Sequence, residues 1–255
     1  MTITKIKILK NKVKVYFDKE MLELSKETYP NFYLYVGKDV SKKEFNEIKE
    51  YNNVSSLLTY ALRIRNKVTY SEFKMREKLY NKGANKKEVD KVIKTLKSYD
   101  LIDDNAFTLD LVSYYDSLNY GKNKIISKLK EKGIFEENIS KLKFSELGEI
   151  KKANNLLPKL EKKYDKYNYS SRKDHIYKAY IDLGFSSEIA TSLSNKIKKS
   201  TPREEKEKLK KDYLRAKTRL MRKYKGNELK EKLYASMCLK GYKYSDINEL
   251  MEEEE

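Results

Sequence analysis

The stretch SEFKMREKLYNKGANKKEVDKVI, residues 71–93, decides the fold, because the chain repeats its frame three more times. The counterparts are GKNKIISKLKEKGIFEENISKL at 121–142, RKDHIYKAYIDLGFSSEIATSL at 172–193 and LKEKLYASMCLKGYKYSDINELM at 229–251. Each is anchored on a glycine, namely Gly83, Gly133, Gly184 and Gly241, spaced 50, 51 and 57 residues apart. Eight positions before the glycine stand Met75, Ile125, Ile176 and Leu233; four before it stand Leu79, Leu129, Tyr180 and Met237; six after it stand Val89, Ile139, Ala190 and Ile247. Residues four apart share one helical face. A glycine just past such a face supplies the left-handed residue that commonly ends a helix. Each unit therefore reads as helix, helix, glycine turn, helix. A unit of about fifty residues buries little alone, so stacking against neighbours is what stabilises it.

Upstream of each frame lies a further helix. Val54, Leu57, Leu58, Ala61 and Leu62 mark the first apolar face, and Phe107, Leu111, Tyr114, Tyr115 and Leu118 the second. Ile150, Ala153, Leu157, Leu160 and Tyr164 mark the third; Leu209, Tyr213, Leu220 and Tyr224 mark the fourth. Thr201–Pro202–Arg203–Glu204 is a strong start, with proline at the first helical position and glutamate facing back to the threonine cap. The fourth unit has a long first helix, 204–225, and the chain closes on an acidic solvated tail, Glu252–Glu255.

The first fifty residues differ. Ile6, Ile8, Val13, Val15 and Phe17 alternate around residues 10–12 in the manner of a two-stranded hairpin, which residues 21–25 and 32–36 are placed to extend. After Gly37, Ser41 and Glu44 open a short helix over 42–51 as a capping box. The expected architecture is mainly α: an N-terminal β-containing extension (1–52), then three-helix repeats at 53–103, 104–145, 146–200 and 201–255, forming an elongated curved stack.

Composition agrees with helices. Eight Gly and three Pro in 255 residues are too few for a sandwich or barrel. The 57 basic residues outnumber 39 acidic ones for a net charge of +18, and such an excess is most readily rationalised by a polyanionic partner. A lysine-rich composition bias accounts for part of the Lys, Asn, Ile and Tyr usage but selects no charge sign. Lone Cys238 excludes an internal disulfide and suggests a reducing compartment. No apolar run approaches a membrane span and the N-terminus does not read as a signal peptide, so a cytosolic monomer without membrane attachment is expected.

Chemistry has few carriers. His175 is the only histidine, so triads and imidazole metal cages lack parts, and it reads as an ordinary helix residue. Cys238 reads as a small packed side chain. Neither GxxxxGK[ST] nor GxGxxG occurs. Asp103–Asp104 is the best carboxylate pair, and at a helix junction it caps the next helix more naturally than it holds a metal. No catalytic residue, metal or cofactor is expected. What remains is charge. Residues 208–225 hold nine basic residues against Asp212 alone, with Lys208, Lys211, Arg215, Arg219 and Arg222 recurring as one helical stripe. Lys124 and Lys128 belong to a second cluster, and Arg63, Arg65, Arg76 and Lys78 to a third. Such a track gives salt-sensitive, sequence-indifferent attachment to phosphates. The blander alternative is a solvated lysine face.

Over the first repeat the chain resembles the RecX family of recombination regulators. The residues that carry this are Ala61–Leu62–Arg63, Ser71–Glu72, Leu79, Lys82–Gly83, Val89, Ile93, Leu96 and Leu101–Ile102–Asp103–Asp104–Asn105–Ala106–Phe107. The length and β-containing extension are similar to the long form found in Firmicutes. Three departures stand out: Tyr70 replaces the usual arginine before Ser71, Lys74 the usual glutamate, and Asp100 a common glycine. The resemblance implies a non-enzymatic modulator of RecA that lies along the RecA–single-stranded DNA filament and inhibits its ATPase and strand exchange, in recombination, DNA repair and the SOS response. A helical-repeat nucleic-acid binder with no recombinase partner is the alternative from another class.

Overall fold

A computed structural model describes residues 1–254. The sheet strands are β1 (Ile3–Ile8), β2 (Lys12–Phe17) and β3 (Met21–Ser25). The helices are α1 (Lys42–Arg65), α2 (Glu72–Tyr80), α3 (Lys86–Ser98), α4 (Asp104–Ser117), α5 (Lys122–Glu131), α6 (Glu136–Ser140), α7 (Glu146–Tyr164), α8 (Tyr169–Asp182), α9 (Ser187–Asn195), α10 (Pro202–Leu220), α11 (Gly226–Leu239) and α12 (Tyr244–Glu253). The fold is thus mainly helical with one small sheet, as expected. The chain forms two compact units, residues 1–111 with 128–142, and 112–127 with 143–255.

In the first unit the sheet is antiparallel in the order β1-β2-β3. Residues 21–25 do extend the hairpin, but 32–36 do not form a strand. A 3-10 turn at Tyr29–Phe32 and a left-handed Tyr33 (φ 46°) carry the chain away instead. Ile3, Val13, Val15, Phe17 and Leu24 bury one sheet face with Phe45 and Ile48 of α1, and Phe17 meets Phe45 edge-on at 5.0 Å. Ile8, expected inside, is 67% exposed. It pairs with Val13 at the hairpin tip, the end opposite Phe17.

Helix α1 corrects the short helix expected over 42–51, and the boundary drawn after residue 52 falls inside it. Ser41 accepts from the Glu44 N–H at 3.1 Å, but the Glu44 carboxylate turns to Lys38 at 2.7 Å, so the capping box is half made. The Asn52–Asn53 pair would weaken a helix if its side chains competed for their own backbone. They are engaged elsewhere. Asn52 bonds both ways to β3, accepting from Ser25 N (2.8 Å) and donating to Glu23 O (2.9 Å), while Asn53 donates to Glu88 (3.1 Å).

The glycine frame holds throughout. Gly83, Gly133, Gly184 and Gly241 lie at φ +83, +75, +89 and +79°. The residues eight and four before them, and six after, are all buried. Two clamps then fasten successive repeats. In the first, the carbonyl just before a glycine accepts from the start of the preceding repeat's second helix. Ser71 Oγ donates to Lys132 O (2.7 Å), Gly121 N to Leu183 O (2.8 Å), and Asn168 Nδ2 and Ser171 Oγ to Lys240 O (2.7 and 2.6 Å). In the second, a carboxylate from the next repeat's first helix accepts the first N–H of that same second helix. Asp104 receives Glu72 N (2.8 Å), Glu149 receives Lys122 N (2.8 Å), and Glu205 receives Tyr169 N (2.9 Å). Orphan N–H groups at a helix start need such partners, and the helix dipole favours an anion there.

Asp103 plays the part expected of it, accepting from Asn105 N and Ala106 N at the start of α4 (2.8 and 3.1 Å). Asp104 faces the other way. Burial, helped by the Glu72 carboxylate, holds its pKa above the usual carboxylate range even against the Glu72 N–H bond. Asp100, standing where glycine is common in the family pattern, takes φ +54°. Tyr114 and Leu118, expected in the core, are 57% and 43% exposed, because the covered side of α4 runs through Thr108 and Tyr115, with Phe107 and Leu111 half-buried beside it.

In the second unit, Ala153, Leu160, Ile176, Tyr180, Phe185, Ala190, Leu193 and Ile197 form one core, and Tyr180 satisfies its hydroxyl on Ala153 O (2.9 Å). Leu209, Tyr213, Ala216, Leu233, Met237, Tyr242, Ile247 and Leu250 form another. Thr201 and Glu204 make the full capping box, with Pro202 at the first helical position. The helix stops five residues short of the expected 225. A turn over 221–225 follows, and Gly226 opens α11 at φ +55°. The tail expected to be solvated from Glu252 is exposed at Glu252 and Glu253, but it is helical to Glu253 rather than frayed. Glu255 lies outside the described residues.

Candidate nucleic-acid interface

Helix α10 presents its cations on two faces. Lys206, Lys210 and Lys217 meet the terminal helix. Lys206 pairs with Glu249 (2.9 Å) and Glu253 (2.7 Å), while Glu254 reaches Lys210 (3.2 Å) and Lys217 (3.8 Å). The glutamates hold the Lys206 pKa above the usual lysine range. On the other face, Lys211, Arg215 and Arg219 are four residues apart, exposed, and without an ion-pair partner among the described residues. Exposed pairs contribute about 0–1 kcal/mol each, so the α12 carboxylates lower the field more than they lock the lysines. The unpaired face is the stronger anion attractor.

The remaining residues of the expected stripe fare differently. Lys208 is half-buried and donates to Tyr167 O at 3.0 Å, holding the turn after α7. Arg222 is exposed but lies in the turn after α10, off the helical stripe it was assigned to. The helix had already ended at Leu220, and the Lys223 and Tyr224 N–H groups both return to the Leu220 carbonyl. Lys124 sits at the clamp where the Asn123 N–H meets Gly184 O (3.0 Å), and is half-buried there.

In the first unit, Arg76 is taken up internally. Glu72 (2.8 Å) and Asp90 (2.6 Å) hold it, and Lys97 shares Glu72 at 2.5 Å. Burial pushes the Glu72 pKa up, but the Lys97 and Arg76 bonds together outweigh it and leave it below the usual range. Lys128 pairs with Glu131 at 2.7 Å. The Arg63 guanidinium lies 5.6 Å over the Tyr60 ring. Arg65 is half-buried, with its Nε unpartnered. Lys78 is exposed and lines a cleft with Tyr70, Phe107 and Lys132.

One cluster escaped the reading of the sequence. Tyr164, Tyr167 and His175 pack ring to ring; His175 stacks on Tyr164 at 5.3 Å and 7°, and meets Tyr167 at 4.2 Å and 40°. Lys166 Nζ lies 5.1 Å over Tyr167. These rings back a cleft of about 390 Å³ that Arg215, Asp212, Leu239 and Lys240 complete. The signal was the doublet Lys163–Tyr164, Lys166–Tyr167, aromatic residues interleaved with lysine at helical spacing.

Among the described residues no group of His, Cys, Asp and Glu is placed to hold a metal ion, and no helix is long and apolar enough to cross a membrane. No family model matches the chain. Curated relatives do. The chain is 26% identical to the regulatory protein RecX of Streptococcus gordonii, with 98% of each chain covered. It is 28% identical to that of Streptococcus sanguinis, with 99% of each covered. The resemblance to RecX holds from end to end. A RecX crystal structure superposes with a TM-score of 0.59 at 21% identity, covering 76% of this chain and 99% of the other. RecX from Lactobacillus salivarius gives 0.51 at 19%, covering 57% and 96%. At those identities the structures speak for the shared helical-repeat fold, which the RecX-like glycine frame and its clamps build here.

Proposed function

We propose that this RecX-like chain regulates a RecA-type recombinase by binding along its filament on single-stranded DNA, slowing ATP hydrolysis and strand exchange without catalysing a reaction itself. The observation that carries this reading is the open cationic face of Lys211, Arg215 and Arg219 on a chain similar to RecX regulators over nearly its whole length. Charge of this kind steers association with phosphate and releases counterions on contact. Arg63, Lys78 and Lys124 are further candidates. Arg76, Lys128 and Lys208 are drawn into internal contacts and contribute mainly to the fold. The protein acts in the cytosol, as a monomer.

The deciding assay is DNA-dependent ATP hydrolysis by RecA. Slowing at protein concentrations far below those that coat free single-stranded DNA supports filament regulation. Equal potency against an unrelated DNA-dependent ATPase would assign the chain to general nucleic-acid binding instead.

A further inference from the structure

We infer that the cleft of Lys166, Tyr167, His175, Arg215, Leu239 and Lys240 seats one nucleotide of a single nucleic-acid strand, its base against the Tyr167 ring and its phosphate on Arg215 and Lys166. This rests on the reading of α10 as a nucleic-acid surface, since Arg215 belongs both to the cleft and to the open face.

Three features point the same way. The first is the platform. Tyr167 is packed against His175 and Tyr164, so its ring is held before any ligand arrives, and the ammonium of exposed Lys166 lies 5.1 Å from its centroid. A lysine over a ring at the surface is readily displaced by a flat base, and the freed ammonium is then in reach of the neighbouring phosphate. Leu239, 89% exposed at the rim, adds apolar surface for a base or sugar.

The second is charge. Among the described residues Asp212 is the only acid lining the cleft, and it is already satisfied by Lys240 (2.9 Å) and the Tyr242 hydroxyl (3.0 Å). Lys166 and Arg215 are therefore left as net positive charge. The third is what the cleft lacks. The Asn168 amide and the Ser171 hydroxyl are spent within the fold: Asn168 accepts from Ser171 N (2.8 Å) and, like Ser171 Oγ, donates to Lys240 O. The neutral polar groups left in the cleft are those of the aromatic residues Tyr167 and His175 themselves, so stacking dominates, and it tolerates any base.

The experiment compares a labelled oligodeoxythymidylate with an abasic strand of equal length, binding to the full chain across a salt series. Wild type should prefer the base-bearing strand by about fivefold to a hundredfold. Tyr167→Leu should lose that preference while keeping the salt slope; Tyr167→Phe should retain it. Arg215→Gln should weaken both strands alike and lower the slope by about one. A measurement on unmodified protein runs alongside, because His175 is the only histidine and its ring protons report on the cleft alone. They should shift upfield on adding oligodeoxythymidylate and stay put with the abasic strand. Equal binding of the two strands by wild type overturns the inference, as does a motionless His175 at saturation. A polyglutamate that displaces the oligonucleotide and moves His175 equally would reassign the cleft to acidic peptides. The two readings fail separately: a silent His175 leaves inhibition of RecA untouched, and a lack of RecA inhibition leaves the His175 response in place.

Discussion

Gly184→Ala should destabilise the chain far more than Gly83→Ala, although both residues sit at nearly the same left-handed φ. Around Gly83 a new Cβ meets nothing within 4 Å. The substitution then costs only the strain of a left-handed L-residue, about 1–2 kcal/mol. At Gly184 the Cβ would fall on the backbone nitrogen and Cβ of Lys124 and lie 2.8 Å from its Cα. Backbone atoms cannot swing aside as a side chain does, so the turn must separate from the start of α5 by about 1 Å to reach an ordinary contact. That separation breaks Gly121 N to Leu183 O (2.8 Å) and Asn123 N to Gly184 O (3.0 Å). At about 0.5–1.5 kcal/mol each, plus the same strain, the total comes to about 2–5 kcal/mol. Against a typical 5–15 kcal/mol of stability this is a large fraction. Urea unfolding followed by circular dichroism gives both midpoints, with Gly121→Ala as a third variant. Its Cβ would sit 2.5 Å from the Gly184 carbonyl carbon, so it should behave like Gly184→Ala. Equal shifts for Gly83→Ala and Gly184→Ala would refute the clamp and leave only the turn.

Other expectations follow from single contacts. Replacing Lys211, Arg215 and Arg219 together with Gln should weaken single-strand binding and reduce its salt slope by about two while the melting curve holds; unchanged binding removes this face from the interface. Arg76→Gln should do the reverse, lowering stability by about 1 kcal/mol through its half-exposed pairs with Glu72 and Asp90 and leaving strand affinity intact, as an anisotropy titration would show. Asp104→Asn keeps an acceptor for the Glu72 N–H and removes a charge that burial disfavours. Because the folded-state pKa of Asp104 is raised, its ionisation costs stability above that pKa and costs nothing below the unfolded value. The variant should accordingly be more stable than wild type at neutral pH, with the gap closing in mild acid; urea midpoints at the two pH values test this.

The parts legible in the sequence are those where a local requirement selects a residue. A left-handed turn asks for glycine, a helix start for Thr201 or Asp103, and a buried face for apolar residues four apart, so the repeat frame can be read directly. Where distant partners decide, reading along the chain fails. Asn52 and Asn53 look like a break because their bonds to β3 and Glu88 are invisible from neighbours in sequence. The stripe through Arg222 assumes a helix that nothing visibly stops before Gly226. Which cations stay open is likewise a question of long-range pairing. Arg76, Lys208 and Lys210 look like their neighbours until Asp90, Tyr167 O and Glu254 are in place. The aromatic cleft needs residues 164–167 and 215 together, and the lysine–tyrosine doublet at 163–167 marks only the first of these.

Every clamp has a main-chain carbonyl or N–H on one side, so it asks of the side chains only a glycine, an anion and, at two of the three joints, a serine or asparagine donor at set positions. Mutation can therefore rewrite most of the surface and much of the core volume without unfastening one repeat from the next. Two chains can share as little as a fifth of their residues, as with the 21% shared with the superposed crystal structure, and still adopt the same fold. In this architecture the joints constrain sequence more than the surfaces do, which leaves the outer face free to vary in what it grips.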